Sequence, residues 1–117
     1  MYTLLRCKNT VYKTSKPLSE FDLTVLEVLV NIRDEYIKKG KYDGRFEFTP
    51  EICFGKFGRT IVNEVIKSID RLRDTVIAEI GIAQVSTDYM LSAKKTVFDP
   101  ESSDPIIVYT VMDIPER

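Results

Sequence analysis

The chain contains no histidine. That absence removes Ser–His and Cys–His nucleophilic pairs and imidazole general bases together. Glycine is scarce as well, five in 117 residues, and neither a Gly-x-Gly-x-x-Gly nor a Gly-Lys-Ser/Thr phosphate loop occurs. Two cysteines without a histidine cannot complete a zinc site. Cys7 and Cys53 each sit among apolar neighbours and read as small core residues rather than a needed disulfide. Carboxylates remain open to acid–base work, yet nothing draws two of them into an apolar setting. The expectation is a protein that is not an enzyme, with no catalytic residue, no metal and no cofactor.

Long apolar runs are missing too. None approaches the ~20 residues of a membrane span, and the N-terminus lacks the basic-then-apolar pattern of a signal peptide. A cytoplasmic protein without a membrane partner is expected. What is present suits one core: 44% hydrophobic and 30% charged residues over a length that gives a single domain, 1–117.

A large charge of either sign is also lacking, and a net −1 is unusual for a nucleic-acid-binding domain. The sum hides an asymmetry. From Lys38 to Arg73 there are nine basic residues against five acidic ones, a local +4, so the remainder carries −5.

The order of elements follows from caps and spacing. Tyr2–Cys7 and Thr10–Thr14 read as short strands, with Asn9 at the turn. Ser19 caps a helix over Glu20–Lys39, with Glu20 and Asp22 favouring its positive end and Gly40 closing it. Phe21, Val25, Val28, Leu29, Ile32 and Tyr36 line one face, and Leu23, Leu26, Val30 and Ile37 form a second strip. Such a helix is expected to be sandwiched at the centre of the domain.

Arg45–Phe48 alternates as a strand with both phenylalanines inward. Thr49 and Pro50 start a short helix that ends near Gly55, and after Gly58 a third helix runs from Thr60 to Arg73. Its apolar stripe is Val62, Val65, Ile66, Ile69 and Leu72. Val76–Ile82 reads as a strand with Val76, Ala78, Ile80 and Ile82 on one face. Ser86–Asp88 is expected to turn, Tyr89 to begin a strand reaching Phe98 with a kink at Lys94–Lys95, and Asp99–Pro105 to be a polar loop. Ile106–Met112, apolar on both faces, is expected to be central or covered by a second copy of the chain.

Together these predict an α+β fold: a winged helix-turn-helix of three helices, with a small antiparallel sheet, a β-hairpin wing and extra terminal strands. In that arrangement the second helix of the pair enters the DNA major groove. Its early residues would be Arg59, Thr60, Asn63, Glu64 and Lys67. Arginine can fork onto guanine and asparagine onto adenine, while Lys56, Lys67 and Arg71 suit phosphates. Lys94 and Lys95 would add charge on or near the wing. A plainer account also exists. Mixed charge outside an apolar stripe describes any surface helix, Glu64 and Asp70 would repel phosphate, and Lys38, Lys39 and Lys41 suit a helix end. Tyr2, Tyr12, Tyr42, Tyr89 and Tyr109 could stack on single strands, though core edges and strand pairs are commoner uses.

Several stretches resemble the winged-helix domains of plasmid replication initiators. They are Asp22–Leu29, Phe46-Glu47-Phe48-Thr49, Phe57-Gly58-Arg59 and Ile66–Thr75, which carries Ser68-Ile69-Asp70-Arg71-Leu72. The likeness covers residues 20–80. It implies binding of repeated origin double-stranded DNA by one such domain and dimerisation through a related one. Full initiators carry two, and this chain has room for one. The expectation is therefore a DNA-binding protein acting in replication initiation, partition or transcription of a plasmid- or virus-like element, and a homodimer. The alternative is an interaction or dimerisation module of the same shape that does not bind DNA, favoured by the acidic balance and by Ile106–Met112.

Overall fold

The computed structural model describes residues 3–7, 10–80, 85–103 and 105–114. Helix α1 spans Glu20–Lys38 and begins with a reciprocal cap: the Ser19 hydroxyl accepts from the Asp22 amide, and the Asp22 carboxylate accepts from the Ser19 amide. It ends in a double turn. Gly40 N–H donates to the Ile37 carbonyl and Lys41 N–H to the Tyr36 carbonyl, with Gly40 at φ +68°. Its middle is enclosed as expected, with Val25, Leu26, Leu29 and Val30 buried. Its ends are not: Phe21 is 38% and Ile37 52% exposed. Neighbouring elements meet α1 only along a broad strip, so a helix apolar on two sides is not sandwiched along its whole length.

Strand β3, Phe46–Phe48, buries both phenylalanines and turns Glu47 outward, as its alternation requires. Helix α2, Pro50–Phe54, follows directly; Thr49 stands at its N-cap, but its hydroxyl makes no capping bond. A 3₁₀ turn over Gly55–Phe57 and Gly58 lead into α3, Arg59–Asp74. Gly58 sits at φ 100°, ψ 165°, a region essentially reserved for glycine. The buried stripe of α3 is Val62, Val65, Ser68, Ile69 and Leu72. Ile66, expected inside, is only half-buried, and a serine takes an inside place.

Strands β1 (Leu4–Cys7), β2 (Thr10–Thr14), β4 (Val76–Ile80) and β5 (Val85–Tyr89) form one antiparallel sheet in the order β1-β2-β4-β5. In β4 the inward residue is Ile77, opposite buried Thr14, rather than the even set headed by Val76 and Ala78. Pairing with β2 sets that face, and a shift of one residue reverses a strand. Ser86–Asp88, expected to turn, lie within β5 opposite Glu79, Ala78 and Ile77. The turn expected at Asn9 and the strand end at Ile82 fall outside the described residues.

A second antiparallel sheet has the order β3-β7-β6, with β6 at Ser92–Phe98 and β7 at Ile106–Asp113. Tyr89 therefore closes β5 instead of opening β6, and buried Met90 and Leu91 bridge the two sheets. No kink falls at Lys94–Lys95; the register slips between Ser92 and Ala93. β7 is central, as its apolar character predicts, with Tyr109 and Val111 buried and Ile106 and Met112 exposed at its ends. Residues 99–103 form an exposed turn in which Asp99 has φ 56°.

Cys53 is exposed, contrary to the core role expected of it: helix α2 turns its side chain outward. The Cys7 side chain lies outside the described residues. Of the tyrosines, Tyr109 is buried, Tyr12 and Tyr42 pack against the core and Tyr89 is exposed, so they do not gather into one stacking surface; Tyr2 is outside the described residues.

The Gly58 conformation carries a direct expectation. No atom stands within 4 Å of a Cβ built there, so Gly58→Ala strains only the backbone. It should lower stability by about 1–3 kcal/mol, read as a shifted midpoint in chemical denaturation. An unchanged midpoint would mean that the α2–α3 turn does not hold this geometry.

Candidate nucleic-acid interface

The polar groups around α3 divide into two sets, and burial separates them. Asp22 is 2% exposed yet satisfied: Oδ1 accepts from Ser68 Oγ at 2.6 Å and Arg71 NH2 at 2.7 Å, while Oδ2 accepts from the Ser19 amide at 3.2 Å. Burial alone would raise this carboxyl. The hydrogen bonds from Arg71, Ser68 and the Ser19 amide outweigh it and hold Asp22 below the usual aspartate range. Ser68 is inside because Asp22 needs a donor there. Its hydroxyl at an apolar-stripe position, together with Ser19-x-x-Asp22 as a capping box, were the signals that a sequence reading passed over.

A second knot lies on the opposite side of α3. Asp70 accepts from Tyr109 OH at 2.9 Å, from Lys95 Nζ at 2.9 Å and from Arg73 NH1 at 3.4 Å. Arg73 Nε also donates to the Ala93 carbonyl at 3.1 Å. Burial first, then the Asp70 carboxylate, push the Tyr109 phenol well above its usual range, so it stays a donor. These bonds fasten the β6–β7 hairpin to the C-terminal half of α3.

Two of the eight side chains expected to meet DNA are thereby committed elsewhere. Arg71 points to Asp22, and Lys95 points inward to Asp70. Lys94, its neighbour on β6, lies opposite Thr110 on the other face of the sheet, as alternation demands. The two lysines therefore do not extend one positive surface with α3.

The other five stay together and outward. Thr60, Asn63 and Lys67 are exposed on the first turns of α3, with Arg59 at its start and Lys56 in the preceding turn. Arg59 NH2 meets Glu51 Oε1 at 2.6 Å, and Lys67 Nζ meets Glu64 Oε1 at 3.6 Å. Lys56 Nζ lies 5.1 Å from the centre of the Phe57 ring. Exposed pairs of this kind are worth about 0–1 kcal/mol, so an incoming phosphate can take either cation. The same surface carries an apolar component: Ile52 on α2 is 83% exposed and Phe57 60%.

Among the described residues there is no cluster of histidine, cysteine or carboxylate side chains able to hold a metal, and no helix is long and apolar enough to cross a membrane. Compared with protein-family models, curated proteins and solved structures, the chain matches none.

The Asp22 knot predicts an acid-sensitive fold. Its pKa is depressed in the folded state, so its contribution is complete above the unfolded aspartate value and is lost as pH falls through the lower folded one. In denaturation midpoints measured against pH, Asp22→Asn should flatten the acid-side slope. Arg71→Ala should cost about 1–3 kcal/mol at neutral pH, less than breaking a fully buried pair because its guanidinium is half exposed. Equal acid slopes in the wild type and Asp22→Asn would show that the knot contributes no linkage.

Proposed function

We propose that this chain is a winged-helix-like domain that binds double-stranded DNA through the N-terminal half of α3. It would act in the cytoplasm in replication initiation, partition or transcription of a plasmid- or virus-like element. The observation that carries this reading is the outward group Lys56, Arg59, Thr60, Asn63 and Lys67, whose ion pairs are exposed and exchangeable. The architecture supports it. α2, the turn and α3 form the helix pair, and the hairpin fastened to α3 is β6–β7, joined at its far edge by β3. That hairpin fits the role of the wing better than β4–β5, which belongs with β2 in the other sheet.

A second reading has its own support. Exposed Ile52 and Phe57 beside the same residues suit a protein partner, including a second copy of the chain, as well as they suit a groove wall. Sedimentation giving a tight dimer, with α3 protected in it, would favour this module over DNA binding.

Fluorescence anisotropy with random-sequence duplexes at several salt concentrations tests the first reading. Affinity should fall steeply with salt, and Arg59→Ala and Lys67→Ala should each weaken binding and lower the log–log salt slope by about 1. Glu51→Gln and Glu64→Gln, which each remove a negative charge from beside those cations, should strengthen it. Arg71→Gln should leave the slope unchanged. Absence of binding at low salt would end the proposal.

A further inference from the structure

The ion pairs of α3 leave one group of cations untouched, and it lies where α1 hands over to β3. Lys39, Lys41 and Arg45 are exposed, and none has an ion-pair or side-chain hydrogen-bond partner among the described residues. Their placement is fixed by the backbone. The two bonds that close α1, from Gly40 to Ile37 and from Lys41 to Tyr36, turn the chain back so that Lys41 stands over the last turns of the helix.

Beneath these lysines, Val28, Ile32 and Tyr36 recur every four residues on α1 and are half-buried. Such a row is about 12 Å long at 1.5 Å per residue. The Tyr36 ring is braced by Phe46, 5.9 Å away between centres. With Asn31, Glu35, Lys39 and Lys41 these residues line a hollow of about 470 Å³, within the range of small-ligand sites, about 300–1,000 Å³. Lys41 and Tyr36 are shared with an adjoining hollow of about 480 Å³ that Arg45 also lines.

We infer that this corner binds an amphiphilic anion, with an apolar body on Val28, Ile32 and Tyr36 and a carboxylate, sulfonate or phosphate head between Lys39 and Lys41. Charge and shape together select that class. Glu35 lines the same hollow, so a bare phosphate or a polyphosphate chain would meet repulsion without using the apolar floor. A neutral hydrocarbon would leave two free ammonium groups unanswered. Two helical turns of floor suit a compact ligand better than a docked helix. Arg45 stands in the adjoining hollow together with Asp43 and Glu47, whose charges oppose a longer anionic head group. The site is separate from the outward face of α3 and does not depend on DNA binding.

Titration of the full chain with 1-anilinonaphthalene-8-sulfonate, followed by competition with octanoate and octanol, tests this. Expected are one saturable fluorescent site, displacement by octanoate, and at least about tenfold weaker displacement by octanol, since only the former makes the charge-assisted contact. Lys39→Gln/Lys41→Gln, both at exposed positions, should weaken the dye and octanoate about tenfold with an unchanged melting curve. Ile52→Ser/Phe57→Ser, which removes two of the most exposed large apolar side chains, should leave both affinities alone. Equal displacement by octanol and octanoate would overturn the inference, as would dye binding lost in the Ile52/Phe57 variant but kept in the lysine variant. Displacement by a short DNA duplex or an acidic peptide, but not by octanoate, would assign the surface to a macromolecule instead.

Discussion

One carboxylate decides how the helices of this domain sit. Asp22 closes the first turn of α1 through Ser19 and, from the same side chain, holds Ser68 and Arg71 of α3. A carboxylate that buried is costly unless its oxygens are filled by well-placed donors, and here three donors fill them. The requirement works as a gauge. Rotating α3, or sliding it by one residue, would strand a charge in the interior, so the apolar stripe Val65–Ile69–Leu72 has one favourable placement against Val25, Leu26 and Leu29. Apolar contact alone would tolerate several such placements.

The Asp70 knot repeats the principle on the opposite flank and ties α3 to β6 and β7. Between them the two knots engage Ser68, Asp70, Arg71 and Arg73, all in the C-terminal half of the helix. In the N-terminal half, from Arg59 to Lys67, the Arg59–Glu51 and Lys67–Glu64 pairs lie at the surface. α3 is thus graded along its length. One end is a structural member, and the other presents polar side chains that can change partners at little cost. A domain that reads an external ligand with a helix needs both properties in one element, because a loose helix cannot present its side chains in a fixed pattern.

Much of this was legible in the residues. Caps, glycines and period placed α1, β3, α2 and α3 within a residue or so, since each depends on neighbours near in sequence. The sheets were less so. Which face of β4 turns inward was set by β2, more than sixty residues earlier, and the join between β5 and β6 was masked by Tyr89-Met90-Leu91, whose apolar run suits a buried link as well as a strand. In the candidate interface, exposure on α3 was readable from its period, which brought Arg59, Thr60, Asn63 and Lys67 out together. The fate of Arg71 and Lys95 was not, because their partners Asp22 and Asp70 are brought near them only by the fold. Charge counted along the chain treats all cations alike; burial of the partner carboxylate is what distinguishes them.

Strand β6 shows what the lysine pair achieves whatever the domain binds. Among the described residues it is an outer strand of its sheet, with an edge that a foreign strand could extend except where Arg73 already occupies the Ala93 carbonyl. Lys94 and Lys95 stand at its middle on opposite faces, one toward solvent and one drawn inward to Asp70. A chain pairing with this edge would have to accommodate a charge on each side of the new ladder. At the other border, β3 has only three residues and offers a poor template. The sheet that carries the exposed apolar side chains of Phe98, Ile106 and Met112 is in this way discouraged from growing at its edges.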